Sequence, residues 1–288
     1  MQAILFALVS YFTWGTGILV EAIVARKINS FSLALWALIL SVVVSSFYVP
    51  FVVNDLKNLT FGLLIFIIAI GLVGLFFGTI VYYEALKKGN RALVGTIASS
   101  FPAVAVLISV IFLNERISTN QTIAIVIIFI GIILSSLELK ELHNKNLLKD
   151  KSILMALITM FSWGMWIALL KIPVAQIGWF WPNCITFLLF PLIFFYIKLK
   201  KIPIERPTIN GAFIPLVAST ALVRIAEYSY NFGISKGLVT VVAPIAGANP
   251  TLFVILAFLF LKDPITKQQM LGIITTLAGI VLLSFFST

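Results

Sequence analysis

The chain has 288 residues, 61% of them hydrophobic and only 10% charged. Soluble domains carry roughly 25% charged residues, so a water-soluble globule of this length would lack the polar surface to cover its core, and a polytopic helical membrane protein is the class that fits. The net charge of +10 is scattered through short polar links, which argues against a nucleic-acid binder.

In chain order, the apolar runs predict ten membrane-crossing helices over about 2–22, 31–53, 61–83, 92–113, 120–137, 152–171, 178–197, 211–232, 239–261 and 268–287. Each is near the ~20 residues a bilayer requires. The first has no basic leader, and its Phe12-Thr13-Trp14-Gly15 returns in the sixth as Phe161-Ser162-Trp163-Gly164, so it reads as a retained helix rather than a signal peptide. Trp36 opens the second run, and Trp179 and Trp181 open the seventh, positions suited to an interfacial aromatic belt. Gly74 and Gly78 in the third form a GxxxG pair that permits close helix contact. Pro102 and Pro250 interrupt the fourth and ninth. Each removes a backbone donor, so the carbonyls of Ala98 and Ala246 lose their usual partners and the helices kink. Ser118 and Thr266 stand where an N-cap would open the fifth and tenth. The longest polar run, 138–151, holds the single histidine, His143, read as a solvated loop residue. The single cysteine, Cys184, leaves no internal disulfide.

The two halves repeat. From 82 to 136 the chain aligns without a gap onto the stretch 148 residues further on, pairing Gly89 with Gly237, Pro102 with Pro250, Glu115 with Asp263 and Gly131 with Gly279. Fifteen of the 20 Lys and Arg residues fall in odd-numbered links, four in even-numbered ones, and one, Arg224, inside a helix. By the positive-inside rule the odd links are cytoplasmic and both termini lie outside. Five helices per repeat force the second copy to insert upside down, and the charges follow. Lys87, Lys88 and Arg91 precede the fourth helix but only Lys236 precedes the ninth; Arg116 alone follows the fourth, whereas Lys262 and Lys267 follow the ninth. That swap is the pattern of an inverted-topology repeat. The expected organisation is all-α: a first five-helix repeat over 1–137, a polar linker over 138–151 and a second five-helix repeat over 152–288.

Inverted repeats hold substrate near the midplane between the halves, so polar and aromatic residues at that depth are the candidates. Trp14 and Trp163 occupy equivalent positions near the middles of helices 1 and 6. They suit the walls of a cavity that stacks on a planar or cationic solute; packing over Gly15 and Gly164 is the structural alternative. Arg224 and Glu227 lie three residues apart, on one helical face, where a charge costs at least ~2.5–3.5 kcal/mol. Arg224 is expected to hold an anionic group of the substrate, with Glu227 as its partner or as carrier of a coupling proton. An ion pair that only fixes packing is the alternative there. Tyr82, Ser99, Tyr228 and Asn249 complete the candidate binding set, and Pro102 and Pro250 are the candidate hinges. Glu21, Glu84 and Lys171, near helix ends, read as interfacial residues. The sequence carries no HExxH, CxxC or GxSxG and no nucleophile–base or metal cluster at one depth, so no catalytic residue, cofactor or metal is expected.

Taken in order and in duplicate, several motifs resemble the drug/metabolite transporter superfamily, specifically its EamA-like members. They are Phe12, Trp14 and Gly15 with their echo Phe161, Trp163 and Gly164; YYEALKKG before the fourth helix; Pro102 and Pro250; the exits FLNERIS and FLKDPIT; and the terminal GIVLLS. The resemblance implies two inverted EamA repeats, a central cavity lined mainly by helices 1, 3, 4, 6, 8 and 9, and a multi-pass plasma-membrane protein that transports small metabolites by alternating access. Such transporters move amino acids, sugars, nucleotide-linked sugars or drugs. They are usually drawn with both termini in the cytoplasm, opposite to the loop charges here. Asp263-Pro264 departs from the Glu115-Arg116 form of the exit. The expectation is a secondary transporter, not an enzyme, for a small organic metabolite; an amino acid or related zwitterion would suit Arg224 beside Glu227. A carrier of sugars or other neutral solutes is the alternative of the same fold, and a channel or an intramembrane lipid-modifying enzyme the remote ones. The expected partners are the solute, the bilayer and a coupling proton or ion, with no nucleic acid. Substrate identity, direction, and the choice between monomer and homodimer are left open by the sequence.

Overall fold

A computed structural model of the chain describes residues 1–136 and 150–287; the run 137–149, with most of the expected linker and His143, lies outside the described residues. Among the described residues nine helices are long and apolar enough to cross a membrane, and a bent pair supplies a tenth. They are α1 (Gln2–Val24), α2 (Ser30–Ser46, then Val49–Asn58 after a 61° bend), α3 (Phe61–Lys88), α4 (Arg91–Ser99 and Phe101–Phe112), α5 (Thr119–Ser136), α6 (Lys151–Ile177), α7 (Trp181–Leu199), α8 (Gly211–Lys236), α9 (Val239–Leu261) and α10 (Lys267–Phe285). The described residues form no strand.

Local chemistry sets the helix ends. Ser118 and Thr266 are the N-caps the sequence suggests, each in a reciprocal capping box. The Gln121 N–H donates to Ser118 Oγ at 3.2 Å while the Ser118 N–H donates to Gln121 Oε1 at 2.8 Å, and Thr266 and Gln269 make the matching pair at 3.2 and 2.9 Å. The second helix was expected as one span over 31–53. It bends instead, because Pro50 opens its second piece without an N–H to give. Large apolar side chains such as Phe12, Phe47, Phe112, Phe161, Phe260 and Phe285 point outward and are exposed. A surface of that kind belongs in lipid, not water.

The two repeats are interlocked by a pseudo-twofold relation visible atom by atom. Ser10 Oγ of α1 donates to the Ala226 carbonyl of α8 at 2.8 Å, and its counterpart Thr159 Oγ1 of α6 donates to the Gly78 carbonyl of α3 at 3.3 Å. Trp14 packs on Tyr230 with ring centroids 6.0 Å apart, and Trp163 packs on Tyr82 at 5.0 Å. Gly15 lies against Leu252 of α9, and Gly164 against Val104 of α4. Each first helix of a repeat thus nests in the third and fourth helices of the other. Gly74 and Gly78 lie against Trp166 and Trp163 of α6, the close contact that a GxxxG pair permits.

Both proline helices are broken where expected. α4 breaks at Ser100 and α9 at Ala248, and Pro102 packs directly on Gly247, so the two breaks cross. The freed carbonyl of Ala246 finds a donor in the side-chain amide of Asn249 at 3.1 Å, and Ser100 Oγ donates to the Thr96 carbonyl at 3.0 Å.

Two tryptophans expected in an interfacial belt are packed against the protein. Trp181 is buried, its Nε1 donating to the Val52 carbonyl at 2.8 Å, and Trp179 joins Tyr48, Phe180 and Tyr228 in an aromatic cluster. The bent end of α2 folds over this corner and covers both rings.

Candidate functional site

Between the repeats lies a cavity of about 310 Å³. Of the candidate residues, Trp14, Tyr82, Ser99, Trp163, Arg224, Glu227 and Asn249 all line it. Helices α1, α3, α4, α6, α8 and α9 contribute as anticipated; α2 and α7 add Leu33, Ala37 and Ile193. The lining runs from the α4 and α9 breaks toward the face that carries the odd links, here called the basic face. The opposite face, which carries both chain ends, is the termini face.

Arg224 and Glu227 form the inner end. Arg224 Nη1 stands 2.8 Å from Glu227 Oε2, with side-chain exposures of 12% and 7%. Glu227 Oε2 also accepts from Asn183 Nδ2 of α7 at 3.4 Å, and the guanidinium lies over the Phe187 ring, 4.5 Å from its centre. The pair is close but poorly aligned for a hydrogen bond. Nη1 and Nε of Arg224 have no hydrogen-bond acceptor, and neither has the indole N–H of Trp166, another lining residue. Buried donors without acceptors are costly unless a ligand or water completes them.

Tyr228 stands apart from the others. It follows Glu227 by one residue and so points about 100° around the helix, away from this cavity. Its hydroxyl shares a 2.7 Å hydrogen bond with Ser45, and its ring stacks on Phe180 at 5.3 Å. It lines a second cavity of about 460 Å³, with Phe6, Val44, Tyr48 and Trp179, on the termini-face half. Arg224 lines both cavities. Pro102 and Pro250 line neither; Pro102 is buried and Pro250 half-buried.

Three charged residues near helix ends were all expected at the interface, and two of them have different places. Glu21 lines the main cavity. It shares a face of α1 with Trp14 and Ile18, at spacings of seven and three residues, and that face looks inward. Its supposed neighbour Lys27 instead donates to the Gly211 carbonyl at 2.8 Å. Lys171 donates to the carbonyls of Ile234 and Gly237, the latter at 2.6 Å, and so binds the C-terminal end of α8, where a cation complements the helix dipole. Glu84 pairs with Lys87 at 3.2 Å, within the local range anticipated. Asn183 escaped notice in the sequence, though an amide inside an apolar span was a usable signal.

The termini-face ends are held by a second charged contact. The Glu115 carboxylate accepts the backbone N–H groups of Val239 and Thr240, both at 2.9 Å, at the start of α9. Its repeat counterpart on the basic face, Asp263, is exposed. Among the described residues no group of His, Cys, Asp and Glu could hold a metal ion.

Comparison with known proteins gives a consistent picture. The sequence profile of the EamA-like transporter family matches residues 1–137 and 150–285, one block in each half. The chain is 30% identical over 138 residues to an uncharacterized protein of Methanocaldococcus jannaschii, across 47% of this chain and 96% of that one. A solved crystal structure has the same fold, with a TM-score of 0.82 at 17% identity, over 99% of this chain and 97% of the other.

Proposed function

The chain belongs to the EamA-like transporter family, and from that premise we propose that it is an alternating-access carrier for a small zwitterionic metabolite, an amino acid or a close relative. The observation that carries this is the inner end of the main cavity. Arg224 lies there with donors unmet, beside a carboxyl group, in a cavity whose walls include Trp14, Trp163 and Tyr82. A guanidinium with free donors suits a carboxylate, and aromatic walls suit an apolar side chain or an ammonium group. The volume, about 310 Å³, is at the low end of small-molecule pockets, which favours a compact metabolite.

Alternating access is supported by the inequality of the two faces. On the termini face, Glu115 and Lys171 tie the link between α8 and α9 to α4 and α6. On the basic face, toward which the cavity extends, the counterpart Asp263 is exposed. A symmetric scaffold with one end fastened is what one state of a two-state carrier requires. The broken helices α4 and α9 cross at the centre and supply places to bend.

The test is solute counterflow into proteoliposomes loaded with single amino acids. Saturable exchange is expected, and Arg224→Gln should abolish it while the protein remains folded and inserted. Linear, unsaturated flux would point to a channel and overturn the carrier. Saturable exchange of sugars but of no amino acid would leave the carrier and remove its zwitterionic substrate.

A further inference from the structure

The main cavity holds one more carboxyl group than the Arg224–Glu227 pair accounts for. Among the described residues, the ionisable groups that line it are Glu21 from α1, Tyr82 and Tyr83 from α3, and Arg224 and Glu227 from α8; those of α2, α4, α6, α7 and α9 contribute none. The one cation among these described lining residues, Arg224, stands 2.8 Å from Glu227. Glu21 makes no ion pair with it, although it lies within electrostatic reach of Arg224, Glu227 and both tyrosines. It sits two helical turns beyond Trp14 toward the basic face, about 10 Å along α1. The cavity is therefore polarised along its length. Arg224, with its unmet Nε donor, lies at the inner end, the Trp166 indole N–H is a second unmet donor in the same lining, and the Glu21 carboxyl with two tyrosine rings lies toward the outer end.

Trp166 is the second sign that a ligand belongs there. It is 6% exposed, its indole N–H has no acceptor among the described residues, and it lines the same cavity. A buried indole N–H normally finds a partner. An acceptor supplied by a solute in this cavity, which Arg224 also lines, would meet that need.

We infer that Glu21 is the subsite for the ammonium end of the solute, while Trp166 and Arg224 take its carboxylate, so that the solute lies with its amine toward the basic face. This rests on the zwitterionic carrier proposed above. Glu21 selects for a positive group by charge and by hydrogen bonds to an N⁺–H donor, and the neighbouring tyrosine rings add attraction for a cation.

The experiment uses three solutes that share one side chain: leucine, leucine amide (ammonium without carboxylate) and N-acetyl-leucine (carboxylate without ammonium). Binding to the full-length protein in detergent is measured by calorimetry for wild type, Glu21→Gln and Trp166→Phe. Wild type should bind leucine best. Glu21→Gln should weaken leucine and leucine amide by ~10- to 100-fold, the scale of one charge-assisted hydrogen bond, and leave N-acetyl-leucine unchanged. Trp166→Phe should weaken leucine and N-acetyl-leucine but not the amide. If leucine binds and Glu21→Gln leaves its affinity unchanged, the subsite is wrong and the zwitterionic carrier stands. If only leucine amide binds, and Glu21→Gln weakens it, the subsite stands and the zwitterionic substrate falls. Should no ammonium-bearing member bind to wild type, both fall.

Discussion

The contact between Glu115 and α9 gives the sharpest prediction about how the protein moves. Its carboxylate accepts two backbone N–H groups, from Val239 and Thr240, each at 2.9 Å. Hydrogen bonds to a charged group contribute ~1.5–3 kcal/mol each, and an anion at a helix N-terminus adds ~0.3–1 kcal/mol. In Glu115→Gln one acceptor oxygen remains, so one charged bond and the charge itself are lost, about 2–4 kcal/mol. If the contact exists only when the termini face is closed, the open population rises roughly 30- to 700-fold.

A cysteine at Thr240 reports that opening. Thr240 is buried and its hydroxyl has no hydrogen-bond partner, so Thr240→Cys sacrifices no bond, and Cys184→Ser removes the native thiol. Labelling by a membrane-impermeant maleimide from the termini face should be slow with Glu115 present and faster by the stated factor with Glu115→Gln. A cysteine replacing the fully buried Ala124 serves as control and should stay protected in both backgrounds. Equal labelling of Thr240→Cys with and without Glu115 would refute the idea that this carboxylate holds the face shut. Simultaneous exposure of the Ala124 site would mean that the fold, not the latch, had failed.

Removing one member of the buried Arg224–Glu227 pair should cost ~3–5 kcal/mol. Arg224→Met with Glu227→Leu should recover most of that loss in thermal unfolding while transport stays absent, and recovered transport would mean the pair is only packing. Gly164→Ala should lower the melting temperature more than Gly15→Ala. A new methyl at Gly164 meets the Phe101 carbonyl at 2.7 Å, whereas at Gly15 it meets the Leu252 side chain, which can move; overpacking of this kind costs ~1–3 kcal/mol. Pro102→Ala and Pro250→Ala each restore a donor inside a broken helix and should slow exchange in a counterflow assay, and unchanged kinetics in both would remove the hinges.

Most of the scaffold was legible in the sequence because bilayer length, helix caps and the repeat are local or periodic signals. The ten apolar runs, the Ser118 and Thr266 caps and the proline breaks need no knowledge of which helices touch. The inverted repeat extended that reach: equivalence of Trp14 with Trp163 implied equivalent surroundings, and their tyrosine partners at 230 and 82 bear this out. What failed was direction. Glu21 was assigned to the interface because basic residues follow it in the chain, yet the helical phase of Trp14, Ile18 and Glu21 decides where it points. The same omission put Tyr228 with Glu227, although adjacent residues on a helix face different ways. Lys171 and Trp181 were misjudged for a different reason. Their partners, the end of α8 and the bent end of α2, are distant in sequence, and a depth argument cannot see tertiary cover.

The symmetry of the scaffold and the asymmetry of the charges belong to one argument. Ser10 and Thr159 make matching hydrogen bonds, and the two tryptophans make matching ring contacts, so in the proposed carrier the two faces would close by equivalent motions. A transport cycle needs near-degeneracy, because a carrier trapped deep in one state does not turn over. The positions equivalent to Arg224 and Glu227 are Phe76 and Thr79, and duplicating the ion pair there would put two more charges in the membrane at ~2.5–3.5 kcal/mol each or more. In the proposed carrier one charged pair, reached from one cavity on each side through Arg224, would serve both states without that cost. The small imbalance between the faces is then set at their ends, where Glu115 is bound and Asp263 is free to solvent. Those ends, rather than the binding residues, are where substitutions should shift the resting state without changing what is bound.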